Sequence, residues 1–471
     1  MLAASFKRTK IVATIGPSSS SPEVMEQLIT AGANGLRLNL AHGTQEQHGA
    51  VIKLARKLSA KHNKPLSIIV DLQGPKLRVG SLPSIGLPFV RGNTVRFKYG
   101  ADFDKDGIVP VQHDVSRHLK SGERIFLRDG IIEVEVESVD GRLITGKVLV
   151  PGLLYSNQGM NLPDTDLGGD ILTPKDIDDI AFATTCDTDY IALSFVQTAE
   201  DIINLKERLA KLGSDIKVIA KIETKAAVDN LDEIVAAADG LMVARGDLAI
   251  ETKPEAVPAV QRRMIELGKH HRKPVIVATQ MLESMISSQS PTRAEVSDVA
   301  TAALEGSDAV MLSGETAIGL FPVESVKMMQ RVISYTEREE ASKHDACQGE
   351  HTESARDNAI SAAAVLLARQ LPAKILIAET ATGQTALNIS SLRPSVPVVM
   401  ITDNPRVYQQ LAIVWGGKSF LNDKPAEATE QVIELLKAAG NVKVGDSLVI
   451  ASGNQPGVTG GTNTVAIHVV Q

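Results

Sequence analysis
Lys221 and Glu223 stand two residues apart in Lys217-Val-Ile-Ala-Lys-Ile-Glu223, and Arg245-Gly246-Asp247 ends the next apolar run. On a strand, that spacing puts both side chains on one face. Glu223 and Asp247 are hard oxygen donors. Two carboxylates, with other positions left for water and substrate, suit Mg2+ or Mn2+. Lys221 would add a mobile point charge beside such an ion, and Arg37 a planar fork for phosphate or carboxylate. Cations around a hard metal serve phosphoryl transfer, where the protein positions groups and neutralises charge. The same set would stabilise an enolate, because a metal and a lysine both polarise a carbonyl oxygen. Spacing alone leaves both chemistries open.

These residues need elements that bring them together. Eight short β-branched runs read as strands: Ile11–Gly16, Gly35–Leu40, Leu66–Asp71, Tyr190–Val196, Lys217–Glu223, Gly240–Arg245, Pro274–Thr279 and Ala309–Gly314. Helical patterns lie between most of them. Ser21-Pro22 and Thr173-Pro174 read as N-caps followed by proline, and Thr292 with Glu295 as a capping box. Eight β-α units predict an α/β fold built on a TIM (β/α)8 barrel, whose strand C-termini share one mouth. Six of the eight ends are polar: Thr14; Arg37 and Asn39 with His42 beyond; Asp71; Lys221 and Glu223; Arg245 and Asp247; Thr279 and Gln280. Each alone is an ordinary rim or turn residue. Their convergence makes a functional site the better reading.

Residues 73–165 differ in texture. Ile132, Val134 and Val136 alternate with Glu133, Glu135 and Glu137, and Asp140-Gly141 supplies a hairpin turn. This predicts a small inserted β-barrel lid on the chemical side of a barrel formed by 1–72 and 166–338. Residues 339–471 restart as a C-terminal α/β domain, with helices at Ala359–Gln370 and Ala426–Ala439 and strands at Ala373–Ala378, Val396–Ile401, Ser447–Ala451 and Thr464–Val470. The net charge of −7 is spread along the chain, which leaves no basic footprint for nucleic acid or membrane. Cys186 and Cys347 form no metal or redox pattern. The N-terminus turns basic before any apolar run develops, and no apolar stretch would span a bilayer, so a cytoplasmic enzyme is expected.

The motifs themselves resemble those of pyruvate kinases. Lys10-Ile-Val-Ala-Thr-Ile-Gly-Pro17 is similar to the family's opening strand, and Arg37-Leu-Asn39 with His42-Gly43 to its phosphate-binding second strand. Asp71-Leu-Gln-Gly-Pro-Lys-Leu-Arg78 resembles its passage into the lid. Ala220-Lys-Ile-Glu223 and Ala244-Arg-Gly-Asp247 resemble its lysine and metal motifs. Ala278-Thr-Gln-Met-Leu-Glu-Ser284, Pro291-Thr-Arg-Ala-Glu-Val296 and Ala309-Val-Met-Leu-Ser-Gly-Glu-Thr316 continue the likeness in the family's order. The resemblance implies phosphoryl transfer from phosphoenolpyruvate to ADP, yielding ATP, in glycolysis by a homotetramer. It implies that Glu223 and Asp247 hold the divalent ion and that the backbone around Ala244, Arg245 and Gly246 receives the substrate carboxylate. Lys221 would stabilise the phosphoryl group and the enolate, and Arg37 would grip the phosphate. Thr279 would stand near the carbon to be protonated, as part of a relay. Asn39, His42 and Arg78 would serve the nucleotide under a closing lid.

The chain departs from the family pattern. A K+ site built from asparagine, serine, aspartate and a backbone carbonyl corresponds to Asn39, Ala41, Asp71 and Leu72, so one hydroxyl is missing. A frequent Gly-Pro-Glu is here Gly74-Pro75-Lys76, and the Lys76 ammonium would replace the ion by attraction to Asp71 and the substrate phosphate. K+ is therefore expected to be unnecessary. Gln158 and Gln73 replace frequent lysines. In the C-terminal domain the turn Thr380-Ala-Thr382-Gly383-Gln-Thr385 offers hydroxyls and amides to a phosphorylated effector, a sugar phosphate or nucleotide, with Gly457–Gly461 as a second wall. Two rivals stand beside this reading: a Mg2+-dependent lyase or aldolase barrel handling an enolate, and a non-catalytic metabolite sensor.

Overall fold
The computed structural model describes residues 7–103, 107–128, 130–165, 171–340, 356–424, 427–453 and 462–471. Eight parallel strands close a barrel: Lys10–Ile15, Gly35–Asn39, Ser67–Asp71, Tyr190–Leu193, Lys217–Ile222, Gly240–Ala244, Val275–Ala278 and Ala309–Leu312, the last pairing with the first. All eight runs expected from the sequence are strands of this barrel. They are almost wholly buried, which is why they read as continuous apolar stretches rather than alternating ones. Val12, Ile69, Tyr190, Ile219, Met242 and Ile276 fill the interior, joined at the foot by Ile413 from the short turn Leu411–Ile413 of the C-terminal unit.

The expected helix starts are present. The Ser21 hydroxyl accepts from the Val24 amide, and Thr173 with Asp176 and Thr292 with Glu295 form reciprocal capping boxes. Asp176 does more than cap. One of its oxygens accepts from the Thr173 amide (2.9 Å) and hydroxyl (2.5 Å), and the other from the amides of Gln73 (3.0 Å) and Gly74 (3.2 Å). A single buried carboxylate thus ties together the chain leaving the barrel and the chain returning to it.

Between these points lies an all-β insertion with its own core. The alternation seen in sequence is real: Ile132, Val134 and Val136 are buried, and Ile132–Asp140 pairs with Leu143–Val150 across the Asp140-Gly141 turn. The insertion closes into the small β-barrel expected from the sequence. Among the described residues its hydrogen bonds form a six-stranded sheet and a separate two-stranded ribbon, Leu87–Phe89 with Gly152–Leu154. The six-stranded sheet ends at Ile108–Val111 on one side and at Met160–Asn161 on the other, and the chain entering the insertion bridges the two. Val79 pairs with Val111 and Arg78 with Gly159, while the Gln112 amide donates to the Arg78 carbonyl and the Met160 amide to the Leu77 carbonyl, both at 3.0 Å.

The C-terminal unit is a five-stranded sheet, ordered Gly417–Leu421, Val398–Thr402, Ile375–Glu379, Ser447–Gly453 and Thr462–Val469, with only the last strand antiparallel. The strand Gly417–Leu421 was absent from the sequence expectation. It opens Gly-Lys-Ser and sits at a sheet edge, so it carries neither an apolar run nor clean alternation. Among the described residues no helix is long and apolar enough to cross a membrane.

Candidate active site
Lys221 is the hub of the barrel mouth. Its ammonium donates to Ser194 Oγ at 2.6 Å and pairs with Glu223 at 2.7 Å and Asp71 at 3.2 Å. Asp71 also takes Arg37, from Nη2 at 2.6 Å and Nε at 2.7 Å. Arg37 Nη1 lies 3.4 Å from the Thr14 hydroxyl. Five strand ends thereby join in one network of two cations and two carboxylates, nearly all of it buried.

Burial opposes charge on Asp71, but Arg37 and Lys221 prevail and hold its carboxyl below the usual range. Burial likewise works against the Lys221 ammonium, and Asp71 and Glu223 overcome it, so Lys221 stays protonated. Glu223 moves the other way: burial, opposed by Lys221, raises it, and the neighbouring Asp247 adds like-charge repulsion. A divalent cation shared by Glu223 and Asp247 would relieve that repulsion, and this donor set fits Mg2+. Glu223 Oε2 also accepts the Phe195 amide at 2.9 Å, which pins a non-glycine residue at φ 58.

Two participants were missed in the sequence. Ser194, at the end of the fourth strand, accepts from Lys221 and reaches the Leu72 carbonyl (2.8 Å) and Asp71 (3.3 Å). It was hidden as a neutral residue inside the run Tyr190–Val196, although its strand-end position marked it. Glu251 faces the cleft between barrel and insertion, accepting from Asn161 at 3.1 Å. Burial, with Asn161 opposing and Asp247 and Glu223 adding, pushes its carboxyl up to about 7.

The backbone turn Ala244–Asp247 opens the helix Arg245–Glu251 beside Thr279, whose hydroxyl accepts the Gly246 amide at 2.9 Å and donates to the Ala278 carbonyl at 2.7 Å. The Arg245 side chain is not one of the mouth's cations. It is spent on the carbonyls of Ala278, Thr279 and Gln280 and on Asp298.

The nucleotide candidates are not tied into the Lys221 network. Asn39 Oδ1 accepts the Ala41 amide at 3.1 Å, His42 is exposed, and Arg78 donates to the Asn157 carbonyl at 2.8 Å within the insertion. Lys76 departs from expectation. It forms no ion pair with Asp71, whose oxygens are held by Arg37, Lys221 and Ser194, because its side chain lines the cleft shared with Asp247 and Glu251. Gln158 folds back on the Tyr155 amide at 3.0 Å.

In the C-terminal turn, the Thr380 hydroxyl accepts the Gly383 amide at 2.9 Å, and the Thr385 hydroxyl bonds that of Thr462 at 2.6 Å, while Thr382 is exposed. Gly457–Gly461 lies outside the described residues.

Two family models match, "Pyruvate kinase, barrel domain" over residues 6–326 and "Pyruvate kinase, alpha/beta domain" over residues 358–468. Pyruvate kinase 2 of Synechocystis sp. is 40% identical, over 99% of this chain and 80% of the relative. A pyruvate kinase of Agrobacterium vitis is 38% identical over 99% of both chains. The crystal structure of a pyruvate kinase from Cryptosporidium parvum superimposes with a TM-score of 0.92 at 33% identity, covering 99% of this chain and 96% of that one.

Proposed function
The chain belongs to the pyruvate kinase family of phosphotransferases, and on that premise we propose that its barrel mouth transfers the phosphoryl group of phosphoenolpyruvate to ADP, giving pyruvate and ATP. The observation that carries this reading is the Lys221 ammonium held between Ser194, Asp71 and Glu223, with Arg37 on the far oxygen of Asp71. Arg37 has donors left beyond those on Asp71 and grips the phosphate. Lys221, locked in its charged form, neutralises the phosphoryl group in transit and then the enolate oxygen. The amides of the Ala244–Asp247 turn receive the substrate carboxylate. Thr279 hands a proton to the methylene carbon as the carbonyl forms. Glu223 and Asp247 would hold Mg2+ or Mn2+, which supplies Lewis-acid polarisation of substrate oxygens when bound. The 73–165 insertion acts as a lid that excludes water, with His42, Asn39 and Arg78 serving the nucleotide.

Pyruvate release from phosphoenolpyruvate, followed with and without ADP and Mg2+, tests this. Turnover should need both. Turnover without ADP would favour the lyase, and none at all the metabolite sensor.

We further propose that catalysis needs no K+. The remaining ligands of the cradle already have protein donors: Asn39 from the Ala41 amide, Asp71 from Arg37 and Lys221, and the Leu72 carbonyl from Ser194. Among the described residues Lys76 makes no ion pair, so its ammonium is available to the substrate phosphate when the lid closes. Replacing K+ by tetramethylammonium at fixed ionic strength should leave the rate unchanged, and a collapse would sink the proposal. Residues 339–471 are proposed as a regulatory domain. The exposed Thr382 and the amides around Gly383 would take a phosphorylated effector beside Thr380 and Thr385, in a cytoplasmic homotetramer. Activation by sugar phosphates or nucleoside monophosphates, lost in Thr382→Glu, checks the first part. Light scattering checks the second.

A further inference from the structure
Thr279 and Gln280 both sit in the left-handed region, at φ 66 and 54. For the β-branched Thr279 that is a sterically costly backbone, and two non-glycine residues in succession there persist only when their surroundings over-determine them. The corner directly follows the seventh barrel strand, Val275–Ala278, and its first residue carries the hydroxyl proposed to deliver the proton.

What determines the corner is the guanidinium of Arg245. Its Nε donates to the Ala278 carbonyl at 3.3 Å, and its Nη2 to the carbonyls of Thr279 at 2.7 Å and Gln280 at 3.3 Å, with Met281 Sδ at 2.8 Å. Nη1 is anchored by Asp298, at 2.7 Å to Oδ1 and 2.6 Å to Oδ2, from the helix Arg293–Leu304. Three consecutive carbonyls can face one cation only if the chain turns sharply, and a planar fork holds them in a geometry that an ammonium cannot match. The residue after Arg245 completes the arrangement, since the Gly246 amide donates to Thr279 Oγ1 at 2.9 Å. The turn that receives the carboxylate and the hydroxyl that faces the reacting carbon are thus set by one dipeptide.

We propose that Arg245 is a positioning residue for the protonation step: its guanidinium, braced by Asp298, holds the Thr279–Gln280 corner left-handed and so fixes the Thr279 hydroxyl over the enolate carbon. This rests on the proposed reaction and on the role of Thr279 in it. In that step the Oγ1–H bond breaks as a C–H bond forms on the methylene carbon. The enolate electron pair makes the new bond while the carbonyl re-forms, and Oγ1 recovers its proton from water through the relay.

The test uses the full chain with Mg2+. It measures kcat and KM for phosphoenolpyruvate and, separately by proton NMR, exchange of the pyruvate methyl hydrogens with D2O. That exchange reports the proton step without phosphoryl transfer. Arg245→Lys keeps the charge and loses the fork. It should lower kcat and methyl exchange together by about 10–100-fold while KM moves less than about threefold, because a small misplacement acts on the reacting geometry rather than on binding. Glycine tolerates the left-handed backbone, so adding Gln280→Gly to Arg245→Lys should restore part of both rates, which no general loss of stability would do. If Arg245→Lys does not accumulate folded, Asp298→Ala, which removes only the acceptor of Nη1, should show the same split. Wild-type kcat and exchange in Arg245→Lys, with both lost in Thr279→Ala, overturn the proposal for Arg245. Exchange surviving in Thr279→Ala overturns the underlying role of Thr279 instead.

Discussion
At the scale of single residues, the mouth is a charge network in which each ion is stabilised by more than one partner. Lys221→Met should lower kcat by about a thousandfold, since it removes the cation proposed to face both the phosphoryl group and the enolate. It should also cost about 3 kcal/mol of stability, because Asp71 and Glu223 stay buried with one counter-charge fewer. Steady-state kinetics and urea unfolding measure the two effects, and a kcat near wild type would remove Lys221 from the chemistry. Lys221, Glu223, Asp247 and Arg37 were legible in the sequence because charged residues ending apolar runs are conspicuous. Ser194 was not, because a small neutral residue does not interrupt such a run. The Arg245 side chain could not be placed either. Its partners at Ala278–Gln280 and Asp298 lie 33 to 53 positions away, and no local pattern encodes them.

At the scale of elements, the barrel strands were readable because double-sided burial demands β-branched runs, whereas the edge strand Gly417–Leu421 and the pairing within the insertion depend on neighbours that the local sequence does not announce. The helix Pro174–Thr185 was read correctly from Thr173-Pro174, but the second duty of its capping carboxylate was not. Asp176→Ala would leave the Thr173, Gln73 and Gly74 donors without their acceptor at a buried point. A loss of about 3–5 kcal/mol is expected in urea unfolding. KM for ADP should also rise by about three- to tenfold, because both ends of the insertion proposed as a lid would lose their common anchor. Thr173→Val, which removes only the hydroxyl, should cost about 1 kcal/mol and leave KM unchanged. Equal effects of the two substitutions would mean that Asp176 acts only as a helix cap.

At the scale of the whole molecule, the foot of the barrel meets the C-terminal unit through the buried Lys10, while the half-buried Lys64 close to it bonds back within the barrel. Lys10 Nζ donates to the Gly417 carbonyl at 2.7 Å, and Lys64 Nζ to that of Ile29 at 2.6 Å. Burial brings both down to about 8 from 10.5. Between those values the unfolded chain binds more protons than the folded one, so their contribution to stability grows as pH rises from 8 towards 10.5 and is lost as pH falls through 8. Each is worth at most about 3 kcal/mol across that window. The unfolding free energy of wild type relative to Lys64→Met should therefore improve between pH 8 and 10, and a flat difference would mean that Lys64 titrates normally. The same foot bears on how the protein is made. Ile413 closes the barrel from below, and Lys10 finds its partner Gly417 407 residues further along the chain. Domains generally fold in order as they leave the ribosome. This barrel has its eighth strand long before its floor has been synthesised, so a nascent chain stalled near residue 340 holds a ring open at one end, with apolar interior exposed, as a substrate for chaperones.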